Sequence, residues 1–311
     1  VTAARLRVLA VAALALGLGL GAGGALEAQT GPESLPSEVL DFDRPESWAM
    51  ARLVALTLFT GMGPAGIERP TSGWRFVAGG ELGWIPALPL EERMVGFFGT
   101  KEEDMNKSPV FGRVRLGVVS SGGWLAEVGV TPPLEVGGAR PLLAAGALGW
   151  AGPVGEGFEG SVRLHGQVGE VRGDITCAAR VVAAGEDPER NPFECEEPSR
   201  DRVLPRYLGL EVSAGHGVGA WEPFVGVSVQ HLSPRFKVSA LHSSITDQRT
   251  LSTSGTAWSV SAGVGRLVFG CLPVAIEGVY SPLWVQRRFD TETERGGVWN
   301  VRGGIRLDRG R

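Results

Sequence analysis

From Gly73 onward, apolar and polar positions alternate with a period of two in one segment after another. In Trp221–Phe236, Val225, Val227 and Val229 fall on one side, and Gly226, Ser228 and Gln230 fall on the other. Successive side chains of a strand point to opposite faces, so this is the pattern of a sheet with two unlike faces. Ten such segments can be read: 73–86, 110–120, 123–133, 141–151, 158–173, 206–217, 222–238, 250–269, 272–286 and 297–308. One face collects residues such as Trp74, Phe76, Val114, Leu116, Val128, Val130, Leu208, Val227, Val260 and Val301. The other collects Arg75, Glu81, Arg113, Arg115, Glu127, Arg163, His165, Glu211, Glu277, Arg302 and Arg306, with Gln167, Gln230 and Asn300.

The connections between segments alternate in length. Those at 87–109, 174–205, 239–249 and 287–296 are long, whereas 121–122, 152–157, 218–221 and 270–271 are short; 134–140 is long by position and short in length. Short turns at one end and longer loops at the other, with an even strand count, are the pattern of a membrane β-barrel. The expected fold is therefore all-β: a transmembrane antiparallel up-and-down barrel of about ten strands, with twelve as the alternative. A soluble sheet turns charge outward and packs its apolar face inside. A membrane barrel inverts this, so the charged face is expected in the lumen and the apolar face in lipid. Trp74, Trp84, Trp124, Trp150, Trp221, Trp258, Trp284 and Trp299 recur near segment ends, as an interfacial aromatic girdle requires. An exported soluble barrel of lipocalin type is the competing architecture and predicts the opposite facing.

Ahead of the barrel, Asp43 followed by Pro45 and Glu46 reads as a helix start with Asp43 as N-cap and a capping-box Glu. The helix is expected to run over 44–60, in the periplasm or in the lumen, with Gly61 or Gly63 as its stop. Residues 29–43 are polar and Pro-containing, a linker. Arg5 and Arg7, then an apolar run from Val8 to about Leu20 and small residues after it, have the order of a secretory signal peptide. Cleavage is expected after Ala25 or Ala28. The domain reading is thus a signal peptide at 1–28, a periplasmic linker and short helix at 29–72, and a barrel at 73–311.

Composition adds less. Gly is abundant, at 47 residues dispersed through the apolar-rich segments, which suits strands and turns better than low complexity. A net charge of −4 leaves no basic footprint, so nucleic acid is not an expected partner.

Across 73–308 the chain resembles the outer-membrane β-barrel proteins of Gram-negative bacteria. The stretches VGFFGTKEEDMNKSPVFGR (95–113) and GDITCAA…NPFECEEPSRD (173–201) are similar to segments of uncharacterised predicted outer-membrane proteins. The resemblance implies location in the bacterial outer membrane, with outer-membrane lipid, lipopolysaccharide and the barrel-assembly machinery as partners. One departure is the ending IRLDRGR, where such proteins commonly close on an aromatic residue.

Candidate chemistry is sparse. Cys177 and Cys195, in one long loop of an exported chain, read as a disulfide, and Cys271 as a small apolar filler in a short turn. No Cys/His spacing suits a metal, and no cofactor motif is present. Glu186, Asp187, Glu189, Glu194, Glu196, Glu197 and Asp201 crowd the same loop, as a solvated stretch or as ligands for cations bridging lipopolysaccharide phosphates. His231 and His242, near Ser233, Ser243, Ser244 and Asp247, are the sole hint of a surface protease or lipid hydrolase; the chain is not read as an enzyme. Six Arg and four Glu facing one lumen point to a salt-bridged, mostly occluded interior, or to a narrow anion-leaning passage for small solutes.

Overall fold

The computed structural model describes residues 36–63, 70–269, 272–287 and 292–308. The expected signal peptide and Cys271 lie outside these residues.

Ten antiparallel strands close on themselves: β1 (Trp74–Trp84), β2 (Val110–Ser120), β3 (Trp124–Thr131), β4 (Arg140–Gly155), β5 (Phe158–Gly173), β6 (Tyr207–His216), β7 (Trp221–Leu232), β8 (Gly255–Val268), β9 (Leu272–Ser281) and β10 (Val298–Asp308). Each pairs with its sequence neighbours, and β10 closes the barrel against β1 with Val301 opposite Trp84 and Leu307 opposite Ala78. Closure removes the free sheet edges that an open sheet would expose. The alternation places the faces as the sequence implies. Phe76, Leu116, Val128 and Val227 are exposed on the outer surface, whereas Glu81, Arg113, Arg163 and Glu277 are buried inside. Phe111, Tyr207 and Phe224 do point inward, but the strand charges that a soluble lipocalin-like barrel would turn outward are buried in the lumen.

The Trp residues form two levels. Trp74, Trp124, Trp150 and Trp221 stand at the short-turn end, Trp124 directly opposite Trp150. Trp84, Trp258, Trp284 and Trp299 stand at the other end, where the Trp84 and Trp299 rings meet edge to face.

At the long-connection end the structure departs from the sequence reading. The seventh connection is not a loop over 239–249. It is a hairpin, Arg235–His242 with Ile245–Ser252, so β7 ends at Leu232 and β8 begins at Gly255. The alternation continues unbroken from strand into hairpin, which is why the two read as one segment. Asp201–Leu204 joins this hairpin to the upper end of β5, and Ser37–Val39 adds a parallel strand to its far side. The Cys177–Cys195 disulfide packs with Val238 and Ala240 on the hairpin.

The N-terminal helix α1 (Pro45–Leu56) takes the luminal of its two expected positions, at the long-connection end. There the Trp48 indole donates to the Gly296 carbonyl at 2.7 Å and the Arg52 guanidinium donates to Pro86 O. Nine of its twelve residues are buried, as expected for a helix apolar on nearly every side. Its ends differ from expectation. Arg44, not Asp43, occupies the N-cap, and its guanidinium has no acceptor with which to cap the first turn; the Glu46 carboxylate accepts the Phe98 amide. The helix stops at Leu56 with Thr57 as C-cap, before either glycine.

Candidate functional site

After α1 the chain does not leave the barrel. Residues 57–63 continue through the lumen toward the short-turn end, where Gly73 O accepts the Ser121 amide just before β1 begins. An extended segment in a lumen has no ladder partner, so its backbone polar groups must be satisfied by the wall. The wall supplies mainly arginines. Arg113 donates to Thr57 O at 2.8 Å, Arg302 to Leu58 O at 2.5 Å and Arg163 to Phe59 O at 3.5 Å. Arg115 then donates to Thr60 O at 2.9 Å and Arg306 to Gly61 O at 2.7 Å. Five successive carbonyls are each held by a different guanidinium. Asn300 extends the series upward to Leu56 O. On the donor side, the Phe59 amide reaches the Tyr207 hydroxyl at 2.6 Å and the Gly61 amide reaches Glu211 Oε1 at 3.0 Å.

The carboxylates hold the arginines in turn. Glu81 stands directly opposite Arg113 across β1 and β2, Glu211 opposite Arg163 across β6 and β5, and Glu277 opposite Arg302 across β9 and β10. Glu81 bridges Arg113 and Arg115 at 2.8 and 2.6 Å. Glu127 faces Gly117 and Ala147, whose size leaves it free to reach diagonally, accepting two bonds from Arg115 and one from Arg163. Charge-assisted, two-pronged bonds of this kind fix geometry as well as adding energy. Phe59 sits among the guanidinium planes of Arg113, Arg115 and Arg163, 4.3–5.5 Å from its ring centroid.

Small residues make room for the segment. A Cβ at Gly129 would lie 2.6 Å from Arg113 Cδ and 2.8 Å from the Phe59 ring. A Cβ at Gly61 would lie 2.8 Å from Glu211 Oε1.

Of the candidate luminal charges, Arg113, Arg115, Arg163, Arg302 and Arg306 thus converge on the segment, held by Glu81, Glu127, Glu211 and Glu277. His165 is buried beside them, with Nδ1 3.4 Å from the Tyr207 hydroxyl. Arg75 stands apart, half-buried near the short-turn end of β1. Sequence reasoning missed the other half of the site: residues 57–63, Tyr207, and the role of Asn300. The one available signal was the TLFTGMG run after an all-apolar helix, too small-residue-rich to extend that helix well.

The remaining candidates do not assemble. His231 lies on the outer face in register with Val229. His242 Nε2 is 4.0 Å from Asp247 Oδ2, and the Ser243 hydroxyl donates to Glu194. In the acidic loop, Asp201 is fully buried and accepts from the amides of Ile175, Thr176 and Ser239 and from the Ser199 hydroxyl, a structural role. Among the described residues no group of three or more His, Cys, Asp or Glu has the arrangement of a metal site.

Compared with known proteins, the chain matches no family model and no curated sequence. Among solved structures it is similar to neisserial surface protein A, at 8% identity over 76% of this chain and 100% of that one, with a TM-score of 0.31. It is also similar to the outer membrane protease OmpT from Escherichia coli (8% identity, 76% and 94% covered, TM-score 0.34). A third is the translocator domain of the autotransporter NalP from Neisseria meningitidis (10%, 85% and 98%, TM-score 0.40). These neighbours are outer-membrane β-barrel proteins.

Proposed function

We propose that the protein is an integral barrel of the bacterial outer membrane, exported by its N-terminal signal, whose bore is closed by its own chain. Its role is structural, with passage of small solutes confined to states in which the luminal segment is displaced. The observation that carries this reading is the row of five arginines on five consecutive carbonyls, Thr57 to Gly61. Above it lies a cavity of about 520 Å³ reaching down to Thr57 and Arg113. Below it lies a space of about 150 Å³ lined by Met62, Arg115, Glu222 and Arg306. The clamped residues separate the two. The outer surface supports the membrane reading on physical grounds: a closed belt of Phe, Leu and Val between two levels of Trp is what hydrocarbon with two polar interfaces selects. Lipopolysaccharide and the barrel-assembly machinery are the partners this location implies.

Planar-bilayer conductance tests the closure. The full chain is expected to conduct little, and a chain lacking residues 36–63 is expected to give discrete ionic steps. Equal conductance from both would overturn the plug. Recovery of the full chain in the soluble periplasmic fraction would overturn the membrane barrel itself.

A further inference from the structure

The upper cavity is mostly apolar, and an apolar space of this size is not what the closure of a pore requires. Its inner wall is Met50, Leu53 and Leu56 from α1 against Phe111, Leu143 and Val171 from the barrel. Its roof comes from the external sheet, including Val203 and Leu251. A volume of about 520 Å³ falls within the range of small-molecule sites, roughly 300–1,000 Å³.

The cavity also reaches the outer surface of the barrel. Leu82 and Val114, which point away from the lumen and are exposed, line it together with the inward Phe111 and Leu143. The wall is broken at this point. β2 pairs with β3 only as far as Val114 opposite Val130; beyond Thr131 the chain runs into Pro132-Pro133 and leaves the ladder. Proline cannot donate to a ladder, so the pairing stops there. Val110–Arg113 on one side and Arg140–Leu142 on the other therefore have no β3 residue between them. The 132–139 loop folds upward instead, its Gly137 packed on Lys107 O. At the lip stands Gly112, where an added Cβ would meet only Glu81 O and Leu82 Cδ1, both at 3.8 Å.

A few polar groups line this space without partners. The Thr131 hydroxyl, the Thr176 hydroxyl and Glu103 Oε2 are buried and make no hydrogen bond, although each residue borders the cavity. Glu103 and Thr176 are neighbours, joined through Lys101 Nζ, which donates to Glu103 Oε1 and to Thr176 O. Burial raises the Glu103 carboxyl to about 8, only partly opposed by Lys101, so near neutral pH it carries a proton that it can donate. An apolar chamber with the neighbouring oxygen groups of Glu103 and Thr176 in its lining suits a molecule with a hydrocarbon body and one oxygen-bearing end.

We propose that this cavity binds the hydrocarbon chain of an amphiphile, which enters sideways from the membrane through the break in the wall between β2 and β4. The proposal rests on the membrane reading above. Two sources share this chemistry: a free long-chain fatty acid, and an acyl chain of a bilayer phospholipid. Full-length protein in phospholipid nanodiscs is irradiated with a diazirine-bearing fatty acid in one arm and a diazirine-tailed phosphatidylethanolamine in the other, and labelled peptides are mapped by mass spectrometry. Label on Met50, Leu53 or Leu143 in either arm is the expected result, and the arm that gives it names the source. The variant Gly112→Trp puts bulk at the lip and leaves the charged lumen untouched. It is expected to lose interior label while outward Phe76 and Val128 remain labelled. Label confined to outward residues in both arms overturns the site, and undiminished interior label in Gly112→Trp overturns the lateral route. Heat-modifiable migration of the membrane-extracted protein, wild type and variant, reports insertion and folding separately, so failure of the membrane reading is not mistaken for failure of the site.

Discussion

The Thr60 hydroxyl donates to Glu277 Oε2 at 2.6 Å, joining residues 217 positions apart. Glu277 is buried in the wall opposite Arg302, and Arg302 in turn holds the carbonyl of Leu58. The luminal segment and the barrel thus share one hydrogen-bond network, in which each carboxylate orients an arginine and most of those arginines hold the segment. Removing the hydroxyl leaves the buried Glu277 carboxyl group with one fewer donor. Thr60→Val is expected to cost about 1–3 kcal/mol, the range for stranding a buried polar partner. Thermal unfolding in detergent reads this as a lowered melting temperature; an unchanged one would mean that the segment is held without this contact.

Neighbouring positions on β3 test the facing of the whole barrel. Glu127 anchors both Arg115 and Arg163, whereas Val128 is 55% exposed on the outer surface. Glu127→Ala takes one of two carboxylate partners from each of two buried guanidinium groups, leaving Arg115 with Glu81 and Arg163 with Glu211. It is expected to cost up to roughly 3–5 kcal/mol, less where the remaining carboxylates and luminal water compensate. Val128→Ala touches no core and is expected to stay within about 0.5 kcal/mol. The ranking of the two melting temperatures is the measurement. A larger loss from Val128→Ala would place the core on the other face.

How far the sequence disclosed this depends on period. Strands β2 and β5 are legible to the residue, because alternation there stops where the ladder stops. The external hairpin was hidden because its alternation continues that of β7 and β8, and only the Ser243-Ser244 turn, both residues with positive φ, breaks it. The luminal charges were legible as a face but not as a clamp. Six arginines against four glutamates read as a salt-bridged, mostly occluded lumen, with a narrow anion-leaning passage as the alternative. In the structure the guanidinium groups also find backbone carbonyls, and carbonyls carry no signature in a sequence. The sequence reading carried Pro132-Pro133 inside its third segment, 123–133, whereas the strand ends at Thr131; that a gap follows needed the outward Leu82 and inward Leu143 to be seen lining one space.

Glu103 gives the fold a pH dependence of known sign. Its carboxyl titrates at about 8 rather than 4.5, chiefly through burial. Between those values the folded chain keeps a proton that the unfolded chain has lost. Its contribution is therefore fully present below about pH 4.5 and is lost as pH rises through about 8. Glu103→Gln keeps the shape and removes the titration. The wild type is expected to lose melting temperature on going from about pH 5 to pH 9, and the variant to lose less, with the gap between them widening as pH rises. Parallel profiles would show that Glu103 does not carry this linkage.

The disulfide predicts a local loss, not a global one. Cys177 and Cys195 close a loop with a sequence separation of 18 and pack against Val238 and Ala240 of the external hairpin, away from the barrel wall. By the chain-entropy argument such a loop gains on the order of 3 kcal/mol from the bond. That free energy belongs to a region the barrel strands do not rest on: the ladder of β4 with β5 and the luminal ion pairs involve neither cysteine. Reduction should therefore loosen 178–194 while the barrel stays closed. Arg180 and Arg190, both exposed, supply trypsin sites on either side of the acidic run. Trypsin is expected to cut at Arg190 much faster after reduction, or in Cys177→Ser with Cys195→Ser, while the heat-modifiable migration of the barrel is unchanged. Loss of that migration on reduction would mean that the external sheet, through Asp201–Leu204 on the upper end of β5, helps hold the barrel shut; equal cutting with and without the bond would mean that the hairpin packing alone holds the loop.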